Sequence, residues 1–390
     1  MGRLRTLEDL GDLRRRTAFV RVDFNVPLEE GKVTDDLRIS ATLPTIRELL
    51  ERDAGLVLAS HLGRPKGKVV AELRMDPVAA RLEEVGGFPV RKVELGDGER
   101  PRPGQVQLLE NLRFDPGEEA NDDAFADRLA SLADVYVDDA FGAAHRAHAS
   151  VVGIAERLPS AAGRLMQREV EVLSGLLERP EEPFVAILGG AKVSDKLGVI
   201  DALVGLVDAF LVGGAMAFTF LAAQGAATGD SLVEHDHADS VRATLKNADE
   251  RGVPLVLPED VVVAEEAAAD AVTETVTADV IPPGKKGLDV GPRTVEEFTR
   301  VLAGARTVFW NGPMGVFELE RFAAGTRGVA RAVAAADAFT VVGGGDSVAA
   351  IRKLGFEDDV DHLSTGGGAS LEFLEGRALP GVAVLTEERS

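Results

Sequence analysis

Residues 184–196 read FVAILGGAKVSDK, and the uncharged run from Phe184 to Leu188 stops at Gly189 and Gly190. An amphipathic pattern then opens with Lys192 and Lys196, four residues apart. The order predicts a buried strand, a tight turn and a helix start. Glycine lets the backbone approach a ligand closely, the free N–H groups of a helix start suit an anion, and lysines at this spacing share one helix face. The stretch reads as a phosphate site.

The same theme recurs toward the C-terminus. Ala209 to Val212 precede Gly213 and Gly214, Pro254 to Leu257 precede PED, Thr307 to Trp310 precede NGPMGVFE, and Phe339 to Val342 run into GGGDS at 343–347. Thr294 with Glu297 predicts a capping box, and Ser347 is expected to cap the helix VAAIRKL. Ser364 and Thr365 lead into Gly366, Gly367 and Gly368. A lone glycine triplet is usually only a turn, but Asp346 beside such turns can hold a magnesium ion that phosphates share.

Toward the N-terminus, Ser160 to Pro180 form a helical pattern with Met166, Val170, Leu173 and Leu177 on one face, ending in RPEEP. A helix followed by a stiff break is a candidate connection between domains. Before it, Thr17 to Asp23, Gly55 to His61, Gln105 to Leu109 and Asp134 to Asp138 read as strands. Helices are expected with Ile39, Leu43, Ile46, Leu49 and Leu50 on one face, from a cap at Asp76 to near Gly86, and across Asp122 to Leu132. Such alternation predicts a parallel sheet covered on both faces, with ligands outside the carboxyl ends of its strands. Arg21, Asp23, Asn25, Arg38, His61, Arg64, Arg113 and Arg146 all fall at or after such ends. Five arginines at one rim point to a small, highly anionic ligand gripped by guanidinium forks. His61, His145 and His148 lack the spacing of a zinc helix and read as anion-contacting or structural; His235 and His237 flank Asp236 on a solvated acidic segment.

Length and composition bound these readings. At 390 residues the chain exceeds what one core usually serves, so two domains are expected. The formal charge of −22 argues against a nucleic-acid or membrane-surface binder. Scarce lysine and abundant carboxylates fit either salt adaptation or an ordinary acidic cytosolic protein. Without cysteine there is neither disulfide nor thiolate metal site. The first residues lack the apolar core of a signal peptide, and Ala209 to Gly229, although uncharged, is broken by Gly213 and Gly214 and reads as strand, turn and core helix. A cytoplasmic protein is expected. No Gly-x-Gly-x-x-Gly follows a strand, which weakens a dinucleotide dehydrogenase, and no Gly-Lys is followed by Ser or Thr, which removes a Walker-type loop.

RVDFNVP, HLGRP, ENLRF, DAFGAAHRAH, GGAKVSDK, MAFTF, WNGPMGVFE, GGGDS and STGGGASLE, in that order across essentially the whole chain, closely resemble the phosphoglycerate kinase family. The resemblance implies an α/β protein of two Rossmann-like three-layer lobes with mainly parallel sheets. Residues 1–165 would bind phosphoglycerate, 166–182 would be interlobe helix and hinge, 183–370 would bind nucleotide, and 371–390 would pack back near the first lobe. It also implies that Asp23, Phe24, Asn25, Arg38, His61, Leu62, Gly63, Arg64, Arg113 and Arg146 bind substrate. Lys196, Asn311, Glu318, Gly344, Gly345, Asp346 and Ser347 would bind ADP or ATP, with Asp346 the magnesium ligand. Arg38, Lys192 and Lys196 would be catalytic in transferring the acyl phosphate of 1,3-bisphosphoglycerate to MgADP, giving 3-phosphoglycerate and MgATP, and a monomer is implied. Two positions depart from the usual pattern: Ala215 stands where many members have glycine, and Ser347 where threonine is frequent. A non-catalytic nucleotide or anion sensor on the same fold is the alternative.

Overall fold

A computed structural model describes residues 2–97 and 99–387. The chain divides into two compact units: one holds the residues up to 171 together with the segment from 378, the other residues 172–377. Helix Arg164–Glu178 crosses that boundary. Residues 371–377 thus group with the second unit, and the C-terminal segment joins the first through Thr386–Glu387, which pairs antiparallel with Arg3–Leu4.

In the first unit the sheet runs Val90–Val93, Val106–Leu109, Gly55–Ala59, Thr17–Arg21, Val135–Asp138, Ser160–Ala162, every neighbour parallel. All five residues of Thr17–Arg21 and of Gly55–Ala59 are buried, as expected of strands covered on both faces. Helix Leu37–Glu51 turns Ile39, Leu43, Ile46 and Leu49 into one cluster with Val20, Leu56 and Leu58. Each such side chain contributes roughly 1.5–3 kcal/mol by leaving water. In the second unit the parallel order is Leu255–Val256, Ala209–Val212, Phe184–Leu188, Thr307–Asn311, Phe339–Gly343, His362–Leu363. A separate antiparallel sheet of Glu274–Thr277, Asp260–Ala264 and Lys286–Val290 belongs to this unit as well. Ala209–Val212 and helix Met216–Ala223 fill the uncharged stretch, and no described helix is long and apolar enough to cross a membrane.

Four local expectations are corrected. Ser160–Ala162 is an edge strand rather than a helix start, because Tyr136↔Ser160 pairing satisfies its backbone and small side chains carry no helical periodicity. Asp76 is the first helical residue, not the cap, and the buried N–H of Met75 donates to Glu110 Oε1 at 2.9 Å. Helix Pro292–Leu302 is capped from another strand, since Asp260 accepts from Arg293 N and Thr294 N. Ser347 lies inside helix Gly345–Leu354, whose cap is Gly344 at φ +90°.

Asp139 follows strand Val135–Asp138 and accepts from Leu165 N at 2.9 Å and Met166 N at 3.2 Å, capping the helix that crosses between units. Burial, with Asp138 adding to it, pushes its carboxyl up to about 7. The folded protein therefore keeps a proton that the unfolded chain releases near the ordinary carboxylate range. Stability from this site is full below that range and is lost as pH rises toward 7. Asp139→Asn is expected to gain about 2 kcal/mol on wild type between pH 5 and pH 8. Denaturant melts at the two pH values check this, and a constant gap would contradict it.

Candidate active site

In the first unit Arg21 pairs with Ala59 at the ends of adjacent strands, so the segments after them leave the sheet side by side. Phe24 N donates to Ser60 Oγ at 2.8 Å, and Gly63 N to Asn25 Oδ1 at 2.9 Å. Arg38, in the first turn of its helix, donates from Nη1 to Asp23 Oδ2 at 2.5 Å. Arg113 Nη1 donates to Gly63 O at 2.8 Å. These bonds, with the His61 ring held against Arg21 Nη2, draw Asp23, Asn25, Arg38, His61, Gly63 and Arg113 into one cluster. Arg146 is exposed but close enough to push the Arg113 pKa down, and Arg64 is exposed on the His61 segment. Phe24 and Leu62 sit in the core, with backbone N–H groups bonded to Ser60 and Asn111, so they shape the turns.

Charge in this cluster is unbalanced toward positive. Burial would raise the Asp23 carboxyl, but Arg38, with Arg21, overrides it and holds the pKa low. His61 is pushed well below its ordinary value, first by burial and then by Arg21, Arg113 and Arg38 against the opposing pull of Asp23. It is a neutral imidazole at neutral pH. Arg21 is only 1 % exposed, so it does not stand at the rim as expected; its guanidinium is committed to Ser150, Val22 and His61.

In the second unit Lys192 and Lys196 are not on a helix. They lie in an irregular loop and turn before helix Leu197–Leu203, with Lys196 its cap residue. Ser194 explains this, since its N and Oγ both donate to Glu234, at 3.0 and 2.8 Å, and hold the loop out of helical geometry. Lys196 Nζ donates to Asn311 Oδ1, while Asn311 Nδ2 is buried without a partner among the described residues. Burial lowers the Lys196 pKa against Asp195, Asp346 and Glu375, which raise it. Gly312 at φ +99° passes so close to Gly189 that a Cβ would meet its carbonyl oxygen at 2.1 Å. Ser347 Oγ accepts from Gly312 N at 2.5 Å, joining the fourth-strand turn to the Gly344 helix start.

Two cavities meet here. One of about 380 Å³ is mainly apolar, with Phe218, Val261, Met314 and Val316 in its walls and Glu318 also lining it. The other, of about 350 Å³, is lined by Lys192, Lys196, Asn311, Gly344, Gly345, Asp346 and Ser347. Gly190, Ala191 and Asp346 line both, so an apolar chamber opens onto a turn rich in N–H donors. Among the described residues no group of three or more metal-ligating side chains exists. Asp346 is exposed at the helix start, and one carboxylate fits a magnesium ion whose other ligands are phosphate oxygens and water.

Sequence reasoning missed the Glu234 clamp on Ser194 and the walls supplied by Phe218, Val261 and Val316. MAFTF signalled only a buried helix, and Glu234 stands forty residues from its partner, with no local pattern to reveal it.

Residues 7–377 match the family model described as phosphoglycerate kinase. A phosphoglycerate kinase of Rubrobacter xylanophilus is 60% identical, the match covering 98% of both chains. One from Moorella thermoacetica is 58% identical over 98% of this chain and 99% of the other. The solved phosphoglycerate kinase of Coxiella burnetii, 42% identical, superposes with a TM-score of 0.88 over 98% of this chain and 99% of that one.

Proposed function

The chain belongs to the phosphoglycerate kinase family and is a phosphotransferase, and on that premise we propose which of its residues carry the transfer between 1,3-bisphosphoglycerate and ADP. The observation that supports the assignment best is the separation of two chemically distinct sites. One is an arginine cluster in the first unit, and the other is an apolar chamber opening onto a lysine- and glycine-lined turn in the second.

Phosphoglycerate is held by Asp23, Asn25, Arg38, His61, Arg64, Arg113 and Arg146, with Phe24, Leu62 and Gly63 shaping the turns. The base of ADP or ATP takes the apolar chamber and Glu318 its edge. Lys196, Asn311, Gly344, Gly345, Asp346 and Ser347 take the phosphates. The attacking phosphate oxygen of ADP and the departing carboxylate carry no proton that must be removed, so no general base is needed. Catalysis then rests on alignment and on charge stabilisation of the transferring group. Arg38, Lys192 and Lys196 supply that positive charge, and neutral His61 supplies an uncharged donor. When bound, magnesium neutralises phosphate charge beside Asp346. Direct transfer further demands that the two ligands come into in-line contact and that water be kept from the acyl phosphate.

A coupled assay for ATP formation from ADP and 1,3-bisphosphoglycerate tests the activity; a nucleotide or anion sensor on this fold would show none. Asp346→Ala is expected to weaken MgADP binding about tenfold or more while leaving magnesium-free ADP nearly unchanged. Calorimetry with and without magnesium reads this, and equal losses in both would contradict the role of Asp346. The reading extends to a cytoplasmic monomer that tolerates high salt, because a net charge of −22 repels itself less when screened. Full refolding without added salt would remove the salt adaptation.

A further inference from the structure

Behind the arginine cluster lies a buried polar chain that the transfer does not use directly. Glu118, 0 % exposed, accepts from Ser150 N at 3.1 Å and from Ser150 Oγ at 2.6 Å. Ser150 Oγ in turn accepts from Arg21 Nε at 2.8 Å, and Arg21 Nη2 lies 3.2 Å from His61 Nδ1. Tyr136, on the neighbouring strand, fixes the same segment by donating its hydroxyl to Ser150 O at 2.9 Å.

The directions along this chain are forced by chemistry. A guanidinium only donates and a carboxylate only accepts, so protons point from Arg21 to Ser150 and from Ser150 to Glu118. The same constraint applies at the other end. Because Arg21 Nη2 cannot accept, His61 Nδ1 must be the accepting nitrogen, and the single proton of a neutral ring must sit on Nε2. No hydrogen bond to His61 Nε2 is made by the described residues.

We infer that Arg21, braced by Ser150 and Glu118, is a positioning residue that fixes His61 as the Nε2–H tautomer and so presents a neutral N–H donor to the anion bound in the first unit. This rests on the reading of that cluster as the phosphoglycerate site. A ring with its proton on Nδ1 would offer a lone pair to an anion and repel it. The arginine thus serves substrate binding through the ring rather than by touching the ligand.

Histidine-labelled full-length protein, read by nitrogen NMR without ligand at neutral pH, should show the His61 ring neutral with its proton on Nε2. A ring protonated on Nδ1, or on both nitrogens, would overturn the inference. Ser150→Ala removes the brace with little change of volume. It should give a mixed tautomer population and a KM for 3-phosphoglycerate raised about fivefold, with the KM for MgATP unchanged. Arg21→Lys should shift the same ring signals if the Ser150 variant does not fold. Unchanged ring signals in a folded variant would also overturn the inference, because a purely structural role would raise KM without moving them. A wild-type Nε2–H ring that 3-phosphoglycerate leaves unshifted would uphold the tautomer and overturn the site reading instead.

Discussion

Arg38→Ala is expected to lower kcat on the order of a thousandfold while the KM for MgATP stays within about twofold. Arg38 projects from the first turn of helix Leu37–Glu51, and among the described residues only its Nη1 is engaged, on Asp23. The other guanidinium donors remain for a ligand oxygen. Arg38→Lys should not restore turnover, because an ammonium cannot hold Asp23 and a phosphoryl oxygen with the same planar fork. The substitution also leaves the buried Asp23 carboxylate without its main counter-charge, so some stability is lost. Turnover is therefore to be compared well below the melting temperature. The double variant with Asp23→Asn, which removes the stranded charge, should recover stability but not kcat. Full turnover in folded Arg38→Ala would contradict the role.

Lys196→Met is expected to cost a similar factor, on the order of a thousandfold in kcat. Lys196 is half-buried at the cap of helix Leu197–Leu203, bonded to Asn311 and close to Asp346. A cation fixed there would meet phosphoryl oxygens without having to reorganise. Because burial lowers its pKa below the ordinary 10.5, the alkaline limb of wild-type kcat should fall at a lower pH than for a free lysine. That limb should vanish in Lys196→Met, and a limb unchanged by the substitution would point to another group.

Much of this was legible in the chain because the informative residues sit where the backbone changes state. Uncharged runs such as Phe184–Leu188 can only be buried strands, and the glycines after them mark turns whose close packing admits no side chain, as at Gly312 against Gly189. What failed depended on tertiary partners. Lys192 and Lys196 fit a helical spacing, yet Glu234 holds the loop open. Thr294 looked like a capping box, yet Asp260 supplies the cap from another strand. Arg21 looked like its four fellow arginines, and only the fold shows it sealed beneath His61. The three-stranded sheet around Asp260–Ala264 was missed because its outer strand Glu274–Thr277 is short and largely solvated, with little apolar alternation.

The most direct test of two anion sites with different chemistry is a crystal structure with 3-phosphoglycerate and MgADP bound together. The acid is expected against His61, Arg38 and Arg113 in the first unit. The nucleotide base is expected against Phe218 and Val316, with phosphates at Lys196, Asn311 and Gly344 to Ser347 in the second. Both ligands in the same unit would contradict it.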